Sequence, residues 1–153
     1  MNTIAHRAIN FHDKAVDLLA RSHSVVAVLV RLYLAHVFFN AGLTKINDWE
    51  TTLFLFEYEY AVPLLSSEIS AFLATAAELV LPVLLVAGLL TRVAAFGLFV
   101  LNIVAVISLQ EIAVAALYLH ILWGILLAQV VLYGAGYFAL SRLVLKRFRS
   151  TKV

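Results

Sequence analysis

The chain of 153 residues is 64% hydrophobic and only 13% charged, with a mean hydropathy of +1.01, whereas an ordinary soluble domain is roughly half apolar and about a quarter charged. This composition describes an all-α integral membrane protein, long enough for four crossings of about 20 residues each but not for a large separate soluble domain. The net charge of +2, with basic residues gathered toward the two ends, points to lipid rather than nucleic acid, and the lack of cysteine excludes disulfides, thiol exchange and Cys-bound zinc or iron–sulfur clusters within this chain.

Residues 1–24 carry Arg7, Lys14 and Arg21 together with Asp13 and Asp17, and are read as an amphipathic cytoplasmic segment. The apolar run that follows is longer than a signal-peptide core and precedes further spans, so a retained first helix is expected. Its span covers about 25–43 and is interrupted by Arg31, His36 and Asn40. From Thr44 to Ser67, Trp49, Leu53, Phe54, Phe56, Tyr58, Tyr60 and Val62 alternate with acids. That pattern predicts an interfacial helix or a re-entrant lid, serving as a headgroup-level anchor or as a cover over polar groups near Lys45, Glu57 and Glu59.

The second span, about 69–90, contains Glu78 and Pro82; the third, about 93–109, carries Asn102 and Ser108. The fourth, about 112–139, holds His120, Gln129, Gly134 and Gly136, and is long enough that it must tilt or end in the interface. The four spans make one domain over 25–140, a four-helix bundle, followed by a basic tail over 141–153. Arg7, Lys14, Arg21 and Arg92, with Arg142, Lys146, Arg147, Arg149 and Lys152, lie on one side of this topology. Lys45 faces Asp48, Glu50, Glu57, Glu59, Glu68 and Glu111 on the other. The positive-inside rule then places both termini in the cytoplasm of a bacterium, with a multi-pass inner-membrane location.

An ionisable side chain near the helix centre costs a few kcal/mol even on lenient insertion scales, and normally faces a partner or a water-filled cavity. Arg31, Ala35, Phe38, Gly42 and Lys45 share one stripe of the first helix, while His36 and Asn40 lie well around from Arg31. Glu78, Pro82, Leu85, Leu89 and Arg92 trace a similar stripe on the second. Glu78 lies about 13 Å deep at 1.5 Å per residue, with no easy route to water, which suits a proton donor or acceptor partnered by Lys45 or Arg31. The plainer alternatives are snorkelling or structural pairing for Arg31 and Arg92, and a boundary anchor for Lys45.

His36, His120 and Glu78 lie in the outer half of the bundle and would make a His2Glu transition-metal site if the helices bring them together; otherwise the histidines are interhelical hydrogen-bond contacts. An aromatic, proton-active interior would equally suit a quinone, with His36, Asn40, Arg92 and Trp49 as candidate contacts. Asn102 and Gln129 read as interhelical hydrogen-bond contacts, and Gly97, Gly124, Gly134 and Gly136 as close-packing positions. No phosphate loop, nucleophile elbow or catalytic triad is present, so a soluble-type hydrolase or nucleotide enzyme is not supported.

The run Arg31-Leu-Tyr-Leu-Ala-His-Val-Phe38-Phe-Asn-Ala-Gly42-Leu-Thr-Lys45 resembles the first helix of the DoxX family, and Glu78-Leu-Val-Leu-Pro82 through Gly88-Leu-Leu-Thr91-Arg92 resembles its Glu…Pro…Gly-Leu-x-Thr-Arg signature. The stretch from Leu43 through Trp49 to Pro63 further resembles DoxX-type proteins associated with bufferin metal-buffering peptide clusters. The chain departs from the family at Gly134-Ala-Gly136 and the residues after it, where a Gly-Pro-Gly…Ser-Leu-Asp phrase is frequent. The resemblance implies a four-helix inner-membrane protein linked to redox or sulfur-stress complexes, and Arg31, Gly42, Lys45, Glu78, Pro82, Thr91 and Arg92 match its motifs. The expected role is therefore a membrane subunit of a redox-linked or stress-protective system, working with a partner protein or as a homo-oligomer. A small-solute or metal transporter and a structural anchor are the rival classes.

Overall fold

Lipid offers no hydrogen bonds to a backbone, so the apolar runs must satisfy their own N–H and C=O groups, and they do so as helices. The computed structural model describes residues 3–62 and 64–136. The expected basic tail from Arg142 onward and the end of the expected fourth span lie outside the described residues.

Five helices follow in chain order: α1 (Thr3–Asn47), α2 (Trp49–Tyr58), α3 (Ser67–Ala87), α4 (Thr91–Ser108) and α5 (Val114–Tyr133). Four of them, all but α2, are long and apolar enough to cross a membrane, so the chain is a multi-pass membrane protein. α1 packs on α3, α3 on α4, α4 on α5, and α5 returns to α1, giving an up-down-up-down bundle. At 1.5 Å per residue α1 is about 67 Å long, more than twice the hydrocarbon thickness. Its first turns, with Ile9, Phe11, Leu18 and Leu19 exposed, therefore extend well beyond the other helices.

Leu34 and Phe38 of α1, Leu85 of α3, Ala94, Ala95 and Leu98 of α4, and Leu127 and Val130 of α5 form the core. Most of the remaining apolar side chains point outward, as they must where the surroundings are acyl chains. The α3–α4 turn closes one end of the bundle. Gly88 sits there in the left-handed region at φ 70°, and its N–H reaches the Leu84 and Leu85 carbonyls; a side chain at this φ would be strained. Two arginines serve the same end: Arg31 donates to the Leu85 carbonyl at 3.3 Å and Arg92 to the Leu132 carbonyl at 3.3 Å, placing cations at the negative ends of the α3 and α5 dipoles.

At the opposite end α2 lies against α1 and α3. Asp48 caps it, accepting from the Thr51 N–H at 3.0 Å and the Thr51 hydroxyl at 2.7 Å. The Thr52 hydroxyl donates to the Lys45 carbonyl at 3.0 Å, tying α2 to the last turn of α1. An isolated antiparallel bridge between Tyr60 and Leu109 then fastens the following loop to the end of α4, with the Ala61 N–H donating to the Ser108 carbonyl at 2.8 Å.

α1 and α3 can lie this close because Gly42 has no side chain: a Cβ there would meet the Leu79 side chain at 2.9 Å and the Glu78 Cβ at 3.1 Å. A Gly42→Ala chain is therefore expected to lose about 1–3 kcal/mol of stability through overpacking, read as a lower thermal midpoint in detergent. Gly97→Ala should cost less, since its Cβ would meet only the mobile end of Leu81.

Candidate functional site

Glu78 is the one acid within the lipid-crossing part of α3, and its residue is 8% exposed. An unpaired carboxylate in such a place would cost several kcal/mol, and Lys45 removes that cost. Its Nζ donates to both carboxylate oxygens, at 2.9 and 2.7 Å. The geometry follows from the helical period: Gly42 brings α1 against Glu78, and Lys45, three residues on, lies on the same stripe and points across to it. Pro82, fully buried one turn further along α3, has no N–H to give the Glu78 carbonyl, so the helix ladder is interrupted at the same residue.

Two cavities of about 390 Å³ each adjoin the pair: Lys45 lines both, and Glu78 lines the first. The first is an apolar chamber between the α2-side halves of α3 and α4, walled by Ser70, Ala74 and Ala77 on one side and Gly97, Val104 and Ser108 on the other. The second lies beneath α2 and is more polar, with Thr44, Asp48 and Thr51 exposed along it. Lys45, Phe56 and Tyr60 line both. The Phe56 and Tyr60 rings pack on each other with centroids 4.8 Å apart. Burial, then the charges of Glu78 and Glu59, push the Tyr60 phenol above the usual tyrosine range, so it stays a neutral donor throughout the physiological range.

Of the residues singled out by sequence, the structure joins Lys45 to Glu78 and leaves Arg31, Arg92, His36, His120 and Trp49 apart from that pair. Arg31, 2% exposed, is 14 residues before Lys45 and thus about 21 Å along the same helix, donating to the Leu85 carbonyl of α3 and the Ala27 carbonyl of α1 instead. Arg92 belongs to that same end. His36 is on an exposed flank of α1, where Asn40 Nδ2 approaches its ring at 3.2 Å. His120 Nδ1 donates to Asn102 Oδ1 at 2.8 Å, while Asn102 Nδ2 donates to the His120 carbonyl at 2.9 Å. Trp49 opens α2, half-buried.

The expected His36–His120–Glu78 metal set is therefore corrected. Similar depth did not bring the three together, because each faces a different neighbour. Among the described residues no three His, Asp or Glu side chains gather to hold a metal. Sequence reasoning also passed over Ser70, whose hydroxyl is buried in the chamber wall without a hydrogen-bond partner among the described residues. Its only signal is a serine on the same α3 face as Ala74 and Ala77, masked by its closeness to the helix-capping pair Ser66-Ser67.

Residues 26–111 match the family model described as DoxX. That is more than half of the chain, and the chain belongs to this family. No curated protein and no solved structure matches it.

Two outcomes follow from this geometry. Lys45→Met alone should destabilise the protein by roughly 3 kcal/mol, the lower part of the range for breaking a buried pair because Lys45 keeps some exposure. Adding Glu78→Gln should recover much of that loss, and a double-mutant cycle in detergent measures the coupling. The Thr51 hydroxyl and N–H hold the Asp48 carboxyl below the usual aspartate range, so its cap on α2 is in force above that range and is lost only as pH falls through the lowered value. Trp49 fluorescence should accordingly stay constant through the ordinary aspartate range and change below it.

Proposed function

We propose that this DoxX-family protein is the membrane subunit of a redox-linked or stress-protective system, binding a quinone or similar lipophilic carrier in the α3–α4 chamber and exchanging protons through Lys45 and Glu78. The observation that carries this reading is the position of Lys45, which borders both the apolar chamber, where it meets Glu78, and the more polar cavity beside the exposed Thr44, Asp48 and Thr51. Such a pair can pass a proton between aqueous solution and a molecule held in an apolar environment.

The chamber suits a quinone. It has an apolar wall, a phenol at Tyr60, an uncommitted hydroxyl at Ser70 and the ammonium of Lys45, all of which can donate to a carbonyl oxygen. A quinone, when bound, would supply reversible two-electron, two-proton chemistry. This chain's part is to bind, orient and keep the site dry, with electron transfer assigned to a partner protein.

A transporter is less well supported. Between Glu78 and the other end of the bundle stand Leu34, Leu85, Leu98 and Leu127, each 0% exposed, an apolar layer that a polar solute would have to cross. The charge distribution, with Arg7, Lys14 and Arg92 opposite Asp48, Glu57, Glu59, Glu68 and Glu111, supports an orientation with α2 on the outer face of the bacterial inner membrane.

Glu78→Gln keeps the size of the side chain and removes its titratable proton. The substituted protein is expected to reach the membrane, yet to fall at least about tenfold short, a modest part of the usual acid–base contribution, in restoring the phenotype of a strain lacking the gene. Full restoration by normally inserted Glu78→Gln protein would rule out proton handling at this site.

A further inference from the structure

Hydroxyl groups on membrane helices ordinarily hydrogen-bond to the carbonyl one turn earlier. Those nearby follow the rule: Thr75 donates to Ala71 at 2.7 Å, Ser108 to Val104 at 2.6 Å and Thr44 to Asn40 at 3.0 Å. Ser70 does not. The Ser66 carbonyl, its natural acceptor, receives the Ser70 backbone N–H at 2.9 Å, and the Ser70 Oγ, in a residue only 4% exposed, has no partner among the described residues. A buried hydroxyl left unpaired costs about 1–3 kcal/mol. It lies in the wall of the chamber, where a bound molecule could satisfy it.

The shape of the chamber indicates how such a molecule arrives. α3 and α4 are held together at the Gly88 turn, but their other halves are separated by the cavity, whose α3 and α4 walls include the exposed side chains of Leu73 and Val100. On the water side the loop after α2 is fastened across the opening by the Tyr60–Leu109 bridge. The free edge is thus the one facing acyl chains.

The charges indicate what kind of head the molecule carries. Both oxygens of Glu78 are already occupied by Lys45, and the rest of the wall is apolar apart from Ser70, Tyr60 and Ser108. A charged head would lie there without a counter-ion, at a cost of several kcal/mol. An uncharged oxygen can accept from Ser70 with no such cost.

We propose that the chamber takes an uncharged, oxygen-headed amphiphile sideways from the lipid between α3 and α4, and that Ser70 binds its head. The proposal rests on the reading of the chamber as a ligand site and adds the route, the charge class and the residue that reads it. A quinone, a fatty alcohol or an acylglycerol shares this chemistry.

The test uses a diazirine-bearing dodecanol and the full chain in phosphatidylcholine nanodiscs, with labelled residues mapped by mass spectrometry. Label is expected on the facing walls of α3 and α4, competed by dodecanol but not by dodecanesulfonate or dodecyltrimethylammonium, which are permanently charged. Ser70→Ala should lower labelling about three- to tenfold, the range of one net hydrogen bond. The same change should leave the thermal midpoint of ligand-free protein equal or raised, because it deletes an unsatisfied group; a merely structural serine would lower it. In Tyr60→Cys/Leu109→Cys, whose disulfide is unambiguous in a chain without cysteine, labelling should be equal in the reduced and oxidised forms of the same variant.

Label outside the chamber, equal competition by the charged compounds, unchanged labelling of Ser70→Ala, or loss of labelling on oxidation overturns the proposal. Glu78 is untouched in every arm. Failure here therefore leaves the Glu78→Gln experiment to judge proton handling separately, and chamber labelling with a fully active Glu78→Gln protein would retain the amphiphile site while removing the proton role.

Discussion

The contact between Lys45 and Glu78 is the constraint from which the rest of the molecule follows. A carboxylate set inside a lipid-crossing helix has to be neutralised close by, and the last turn of α1 supplies the cation. For it to arrive, α1 and α3 must lie against each other at Gly42, where no side chain can intervene. For the pair to remain out of bulk water, α2 must turn back at once over the end of α1. The Asp48 cap and the Thr52 hydrogen bond accomplish that within a few residues.

The two ends of the bundle consequently do different work. At the α3–α4 turn, Arg31 and Arg92 hold helix-terminal carbonyls and Leu34, Leu85, Leu98 and Leu127 exclude water, so that end is closed and structural. At the α2 end the same helices diverge around a chamber, with small residues where a tight bundle would have large ones. Binding energy unspent in packing there is available to a ligand. This division also explains why the family's motif residues separate in space: Lys45 and Glu78 make a site, whereas Arg31 and Arg92 hold the frame that carries it.

Much of this was legible in sequence. The helical period put Gly42 and Lys45 on one stripe, the cost of a charge in lipid marked Glu78, and the aromatic alternation after Trp49 indicated an interfacial helix or lid without deciding between an anchor and a cover. All-α architecture with four membrane-length helices was readable for the same reason: 64% apolar composition leaves few other folds. What the sequence withheld was rotation and neighbour order. Depth along an axis can be counted from the residue number, so His36, Glu78 and His120 looked like companions; the direction each faces depends on which helices touch, and that placed His36 beside Asn40 and His120 beside Asn102. Ser70 was hidden for a related reason, since only the packing around it distinguishes a hydroxyl without a partner among the described residues from one satisfied by its own helix.

The contact between Lys45 and Glu78 is tested most directly by a dipolar-coupling measurement in bilayers between ¹⁵Nζ of Lys45 and ¹³Cδ of Glu78. A coupling equivalent to direct ion contact, within about 4 Å, is the result expected from the 2.7 Å contact seen here. No coupling in folded, membrane-inserted protein would contradict it, for then the two charges would face different surroundings and the chamber would have lost its polar floor.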